Sequence, residues 1–149
     1  MRRIVLYSIG MVLLAPSLCL ARDIAIITDK TNSVSTVSNK DLVKILRTDT
    51  GKWPDGKKVM VFLSDPESAD NKVLLEKTYA MTPAGFKAFA GGQKGGIVIL
   101  GSDEEVVKAV AAQPGAIGVV NVYSINSTVK VMKVDGKLPL EQGYLLHGN

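Results

Sequence analysis

Three short runs of uninterrupted apolar residues constrain this chain most. They are Val59 to Leu63, Ile97 to Leu100 and Ala116 to Val120, and glycine or proline stands close to each. A strand with one wet face alternates polar and apolar residues, so an unbroken run of four or five predicts a strand covered on both faces. Covering both faces of a sheet takes helices above and below it. The helices are legible between the runs. Ser38 can cap a helix from Asn39, with Asp41 in its first turn and Leu42, Ile45 and Leu46 on its apolar face, ending near Arg47. Ser68 can cap a helix through "ADNKVLLEKTYA", and Thr82-Pro83 opens "AGFKAFA" with proline in the first helical turn. Ser102 and Glu105 have the spacing of a capping box, with Val106, Val107 and Val110 as the buried stripe behind it.

"AAQPGAIGVVN" follows the same logic. Pro114 cannot continue the fourth helix, Gly115 supplies the exit turn, and the strand starts at Ala116. Gly118, inside that strand, predicts close approach of something to the sheet: a helix packed tightly over it, or a ligand. "DIAIIT", Asp23 to Thr28, reads as a further buried strand. "TVKVMKV" alternates valine with Lys130 and Lys133 and ends in an Asp135-Gly136 turn, which reads as a half-exposed edge strand. Residues 140–149 give no readable pattern, and Trp53 reads as packing for its turn. The order predicts an α/β fold, a three-layer sandwich with a mixed, mostly parallel sheet.

Arg2 and Arg3, the apolar run from Ile4 to Leu14, Pro16, and Cys19-Leu20-Ala21 have the layout of a cleaved export signal. Residues 1–21 are therefore expected to be a signal peptide and 22–149 one domain, acting outside the cytoplasm in the periplasm. The only cysteine lies in the signal, so no disulfide is expected. The net charge of +4 halves once Arg2 and Arg3 leave, and the lysines are scattered and not interleaved with aromatics. Nucleic acid is excluded as a partner on that pattern. The single histidine, His147, lies close to the C-terminus, where disorder is the default expectation. Neither a Ser-His-Asp nor a Cys-His arrangement can then be assembled, and no metal or cofactor site is expected. The chain reads as a non-enzyme.

Four motifs, in order, carry a resemblance: Asn32-Ser33-Val34 after the first strand, the helix start Ser38, Asp41, Leu42, the turn Trp53 to Gly56, and Pro114 to Gly118. Together they resemble the phosphate-binding components of ABC uptake systems, in the type II periplasmic-binding-protein superfamily. Two-lobed members clamp an anion between two α/β domains, and this chain is long enough for one lobe. The resemblance implies an exported solute-binding-like domain, with a small oxyanion such as phosphate as ligand and an ABC permease or other envelope protein as partner. It places the ligand near Thr28, Thr31 and Asn32, near Ser64 and Ser68, and at Ser102. Free amides and the dipole make helix starts anion sites in general. At the family's Ser-Gly-Thr segment this chain has Ser68-Ala69-Asp70, with Glu67 beside it. Ser68 and Ser102 equally read as ordinary helix caps. The alternative reading is an interaction module that has lost solute binding and docks a partner or forms a homodimer.

Overall fold

The computed structural model describes residues 23–148; the signal-peptide reading lies outside them. The elements are β1 (Ile24–Asp29), β2 (Thr36–Val37), α1 (Asn39–Leu46), β3 (Met60–Leu63), α2 (Ala69–Leu74), α3 (Pro83–Gly91), β4 (Ile97–Ile99), α4 (Asp103–Ala112), β5 (Ala116–Asn121), β6 (Val129–Val131) and β7 (Lys133–Val134). All four expected caps form. The side chains of Ser38, Ser68, Thr82 and Ser102 accept hydrogen bonds from the backbone N–H of Asp41, Asn71, Gly85 and Glu105.

One five-stranded sheet has the order β4-β3-β5-β1-β6, and β2 and β7 form a small parallel pair beside it. β3 is parallel to β4 and to β5. β1 lies antiparallel to both of its neighbours, pairing Ile24 with Asn121 and Thr28 with Ile117. Four strands thus share one direction and β1 opposes them, which makes the sheet mixed and mostly parallel.

The sheet's two faces are packed unequally. On one, Ile24, Ile26, Val61, Leu63, Ile117 and Val119 meet Leu42, Ile45 and Leu46 of α1, Leu74 of α2 and Phe86 of α3. On the other, Ala25, Ile27, Phe62, Ala116 and Val120 meet Val106, Val107 and Val110 of α4. Burying a side chain of this size contributes about 1.5–3 kcal/mol relative to exposure, so the two clusters supply most of the driving force. Gly118 belongs to this packing. A Cβ there would lie 2.7 Å from Val110 Cγ2 and 2.9 Å from Val106 Cγ1, so the close approach predicted at Gly118 is that of α4.

Three expectations need correction. The helix capped by Ser68 does not run evenly to Ala80. After Leu74 it widens into a π-helical turn, Leu75–Tyr79, and ends with Ala80 in the left-handed region at φ 51°. The turn lets Leu75 and Tyr79 both reach the core. The Tyr79 hydroxyl donates to Leu46 O at 2.7 Å, and burial holds its phenol well above the usual range against the lowering effect of Arg47. "TVKVMKV" is not one strand: buried Met132 separates β6 from β7. The C-terminal stretch is tied down. Leu146 O accepts from Ile24 N at 3.0 Å, the Tyr144 hydroxyl donates to Ile24 O at 2.7 Å, and His147 Nδ1 pairs with the Asp23 carboxylate. Burial, and secondarily the Asp23 charge, pushes the Tyr144 phenol upward. Among the described residues no helix is long and apolar enough to cross a membrane.

Candidate functional site

The direction of β1 decides which residues can share a site. Because β3, β4 and β5 run together, their C-terminal ends lie at one end of the sheet, along with the start of β1. The C-terminal end of β1 lies at the other. The six residues expected near a ligand therefore fall into two groups at opposite ends: Ser64, Ser68 and Ser102 at the first, and Thr28, Thr31 and Asn32 at the second. The structure does not bring all six into one crevice.

The second group builds a turn. Asp29, buried, accepts from Thr31 N at 3.1 Å, from the Thr31 hydroxyl, and from Gly115 N at 3.1 Å. Asn32 Oδ1 accepts from Val34 N at 2.9 Å. The Trp53 indole donates to Gly115 O at 2.9 Å, so the buried tryptophan ties its turn to the start of β5. Lys57 Nζ donates to the Thr31 hydroxyl at 3.3 Å, and Lys130 Nζ to Asn32 O. The Thr28 hydroxyl and the Asn32 amide nitrogen are buried without a protein partner.

In the first group Ser64 is bonded to an aspartate, Asp103, that was not among the expected site residues. Asp103 is the first residue of α4. Its Oδ1 accepts from the Ser64 hydroxyl at 2.5 Å and its Oδ2 from Asn121 N at 2.7 Å, which joins the ends of β3 and β5 to the start of α4. Asn71 Nδ2 donates to Asp65 O at 2.9 Å and to Ser64 O at 3.2 Å, fixing the connection into α2. Ser68 Oγ accepts from Asn71 N at 3.2 Å and Ser102 Oγ from Glu105 N at 3.2 Å, so both serines are employed as caps. Asn121 Nδ2 donates to Asp70 Oδ2 at 2.8 Å.

A crevice of about 550 Å³ opens here, lined by Asp70, Asp103, Glu104, Asn121, Tyr123 and Ser124. Its lining includes none of the three expected serines. It holds three carboxylates and, in Tyr123, a side chain 70% exposed. Asp70 was foreseeable as an acidic residue crowding the site. Asp103, Asn121 and Tyr123 had weaker signals: an acidic residue following a capping serine, and polar residues where an apolar run stops. Among the described residues no group of three His, Cys, Asp or Glu side chains could hold a metal ion.

No protein-family model matches the chain, and no curated protein matches it either. Solved structures do. An ABC-type phosphate transport receptor from Vibrio cholerae superposes with a TM-score of 0.71 at 14% identity, over 86% of this chain and 54% of that one. A phosphate ABC transporter substrate-binding protein from Clostridium perfringens, solved with bound phosphate, gives 0.65 at 20% identity, over 78% of this chain and 46% of that one. PstS from Borrelia burgdorferi gives 0.67 at 15% identity, over 87% and 55%. The chain thus spans about half the length of these proteins, and its α/β fold is that of one lobe of a phosphate-binding receptor.

Proposed function

We propose that this chain is an exported, non-catalytic binding module on the phosphate-receptor fold, which presents the strand-end face of its one lobe to a protein partner in the cell envelope. The observation that carries the reading is the charge of the crevice. A receptor of this architecture is expected to hold its anion at the ends of the parallel strands. Here Asp70, Asp103 and Glu104 line that place, and the Ser64 hydroxyl is already donated to Asp103. At an effective dielectric near 20, a carboxylate about 4 Å from a bound anion opposes it by roughly 4 kcal/mol per unit charge. One lobe alone has little to offset three such terms. Export is supported by the basic, apolar and small-residue order of residues 1–21. The partner would be a permease or another envelope protein.

A second reading keeps the solute. The similarity to phosphate-binding proteins, one of them holding phosphate, supports an oxyanion gripped between this lobe and another supplied by a partner or a second copy. Thermal melts separate the two readings. The purified protein is melted with millimolar phosphate, and with sulfate and chloride at matched ionic strength. The docking reading expects the same midpoint in all three. A ligand at a hundred times its dissociation constant stabilises by about 2.7 kcal/mol, so a phosphate-selective rise of several degrees would overturn it in favour of the solute.

A further inference from the structure

The two edges of the sheet are guarded differently. β6 carries Lys130 within the strand and Lys133 just beyond it, charges that discourage a neighbour. β4, at the opposite edge, sits in a segment without a charged residue from Gly95 to Ser102. Val61 N donates to Gly96 O at 2.9 Å and Leu100 N to Leu63 O at 2.8 Å. In a strand successive peptide groups alternate in direction, so those of Ile97 and Ile99 turn away from β3. Among the described residues no strand pairs with that side. Ile99 is 38% exposed there.

We propose that β4 pairs antiparallel with β4 of a second copy, across a two-fold axis near Val98, to make one sheet continuous through two lobes. Charge complementarity selects this occupant and this direction. The uncharged segment is bracketed by exposed Lys94 on one side and by Asp103 and Glu104 on the other. Antiparallel pairing about Val98 brings Lys94 of each copy beside the acidic start of the other copy's α4. Parallel pairing would set lysine against lysine and carboxylate against carboxylate. The contact is isologous, so it closes as a dimer and leaves only the two lysine-bearing β6 edges outermost. The outward peptide groups of Ile97 and Ile99 meet those of Ile99 and Ile97 in the other copy. This dimer turns the two acidic crevices to opposite ends, so it does not rebuild a two-lobed clamp, and it stands whether or not the docking reading does.

Sedimentation of the purified full chain over about 10 μM to 1 mM tests it, a range suited to the weak dissociation constant expected of a short strand pair. The mass should double across that range. Ile99→Lys, which places a charge on the open edge, should leave a single-chain mass throughout. Lys94→Glu should raise the dissociation constant at least tenfold, and adding Glu104→Lys to it should restore the dimer. A single-chain mass for the unaltered protein at every concentration would overturn the proposal, as would an Ile99→Lys variant that dimerises undiminished or a double variant that fails to recover while circular dichroism shows both folded.

Discussion

The two ends of the sheet are each tied by one aspartate, but the crevices beside them differ: Val34, Trp53 and Lys52 help to line the one near Asp29, and three carboxylates line the one at Asp103. Asp29 gathers Thr31 and Gly115 under the Trp53 indole, and the carboxylate is buried. Asp103 gathers Ser64 and Asn121 in the same way, yet the next residue, Glu104, and nearby Asp70 and Tyr123 face a crevice. Serine, threonine, asparagine and aspartate therefore do the same backbone work at both ends. What separates a structural knot from a candidate site is the charge lining the crevice beside it, not the residue types in the knot.

The comparison breaks most violently at Gly115. Its φ is +87°, and a Cβ would stand 2.4 Å from the backbone oxygen of Lys58. Gly115→Ala adds left-handed strain to a main-chain clash, each worth about 1–3 kcal/mol, so a loss of roughly 3 kcal/mol is expected in the unfolding free energy from urea denaturation. A near-neutral result would mean the Asp29 end is softer than its hydrogen bonds imply.

Asp103 supplies the next test, with two variants that separate structure from charge. Asp103→Ala leaves the Asn121 N–H without its acceptor and frees Ser64, at a cost of about 2 kcal/mol. Asp103→Asn keeps the shape. Its carbonyl oxygen can still accept from Asn121 N, and its amide can donate to a reoriented Ser64 hydroxyl. Less than about 1 kcal/mol should be lost while one negative charge leaves the crevice. Equal losses in the two variants would show that the carboxylate's charge, and not its geometry, secures this end.

Most of the architecture is legible in the sequence, and for a physical reason. Strand burial follows from unbroken apolar runs, and helix starts follow from a side-chain oxygen three residues ahead of an unpaired N–H. Both signals are local. Ser38, Ser68, Thr82 and Ser102 cap where their spacing says they must. The candidate site was less readable because it depends on strand direction. "IAIITD" has the same composition whichever way it runs, and its antiparallel pairing with β5 and β6 alone sends Thr28, Thr31 and Asn32 away from Ser64. The C-terminal stretch was opaque because its order comes from distant partners, the Ile24 backbone and Asp23, not from any periodicity of its own.

Ser68 carries the smallest expected effect and the finest discrimination. By resemblance it is the residue an anion should touch; by geometry it is a cap whose oxygen already accepts from Asn71 N at 3.2 Å. Those roles predict different phenotypes for Ser68→Ala. Loss of a cap costs about 1 kcal/mol and is the same in every salt. Loss of an anion ligand would lower the melting point in phosphate more than in chloride. Thr31→Ala at the opposite end is the matched control, an exposed hydroxyl bonded to its own turn, expected to shift stability by less than Ser68→Ala and equally in both salts. If the Ser68 variant alone loses a phosphate-specific increment, the Asp103 end is an anion site despite its carboxylates, and the contrast between the two ends becomes one of ligand chemistry as well as lining charge. If both variants respond alike in the two salts, the serine is structural and the crevice is left to a partner able to meet Asp70, Asp103 and Glu104.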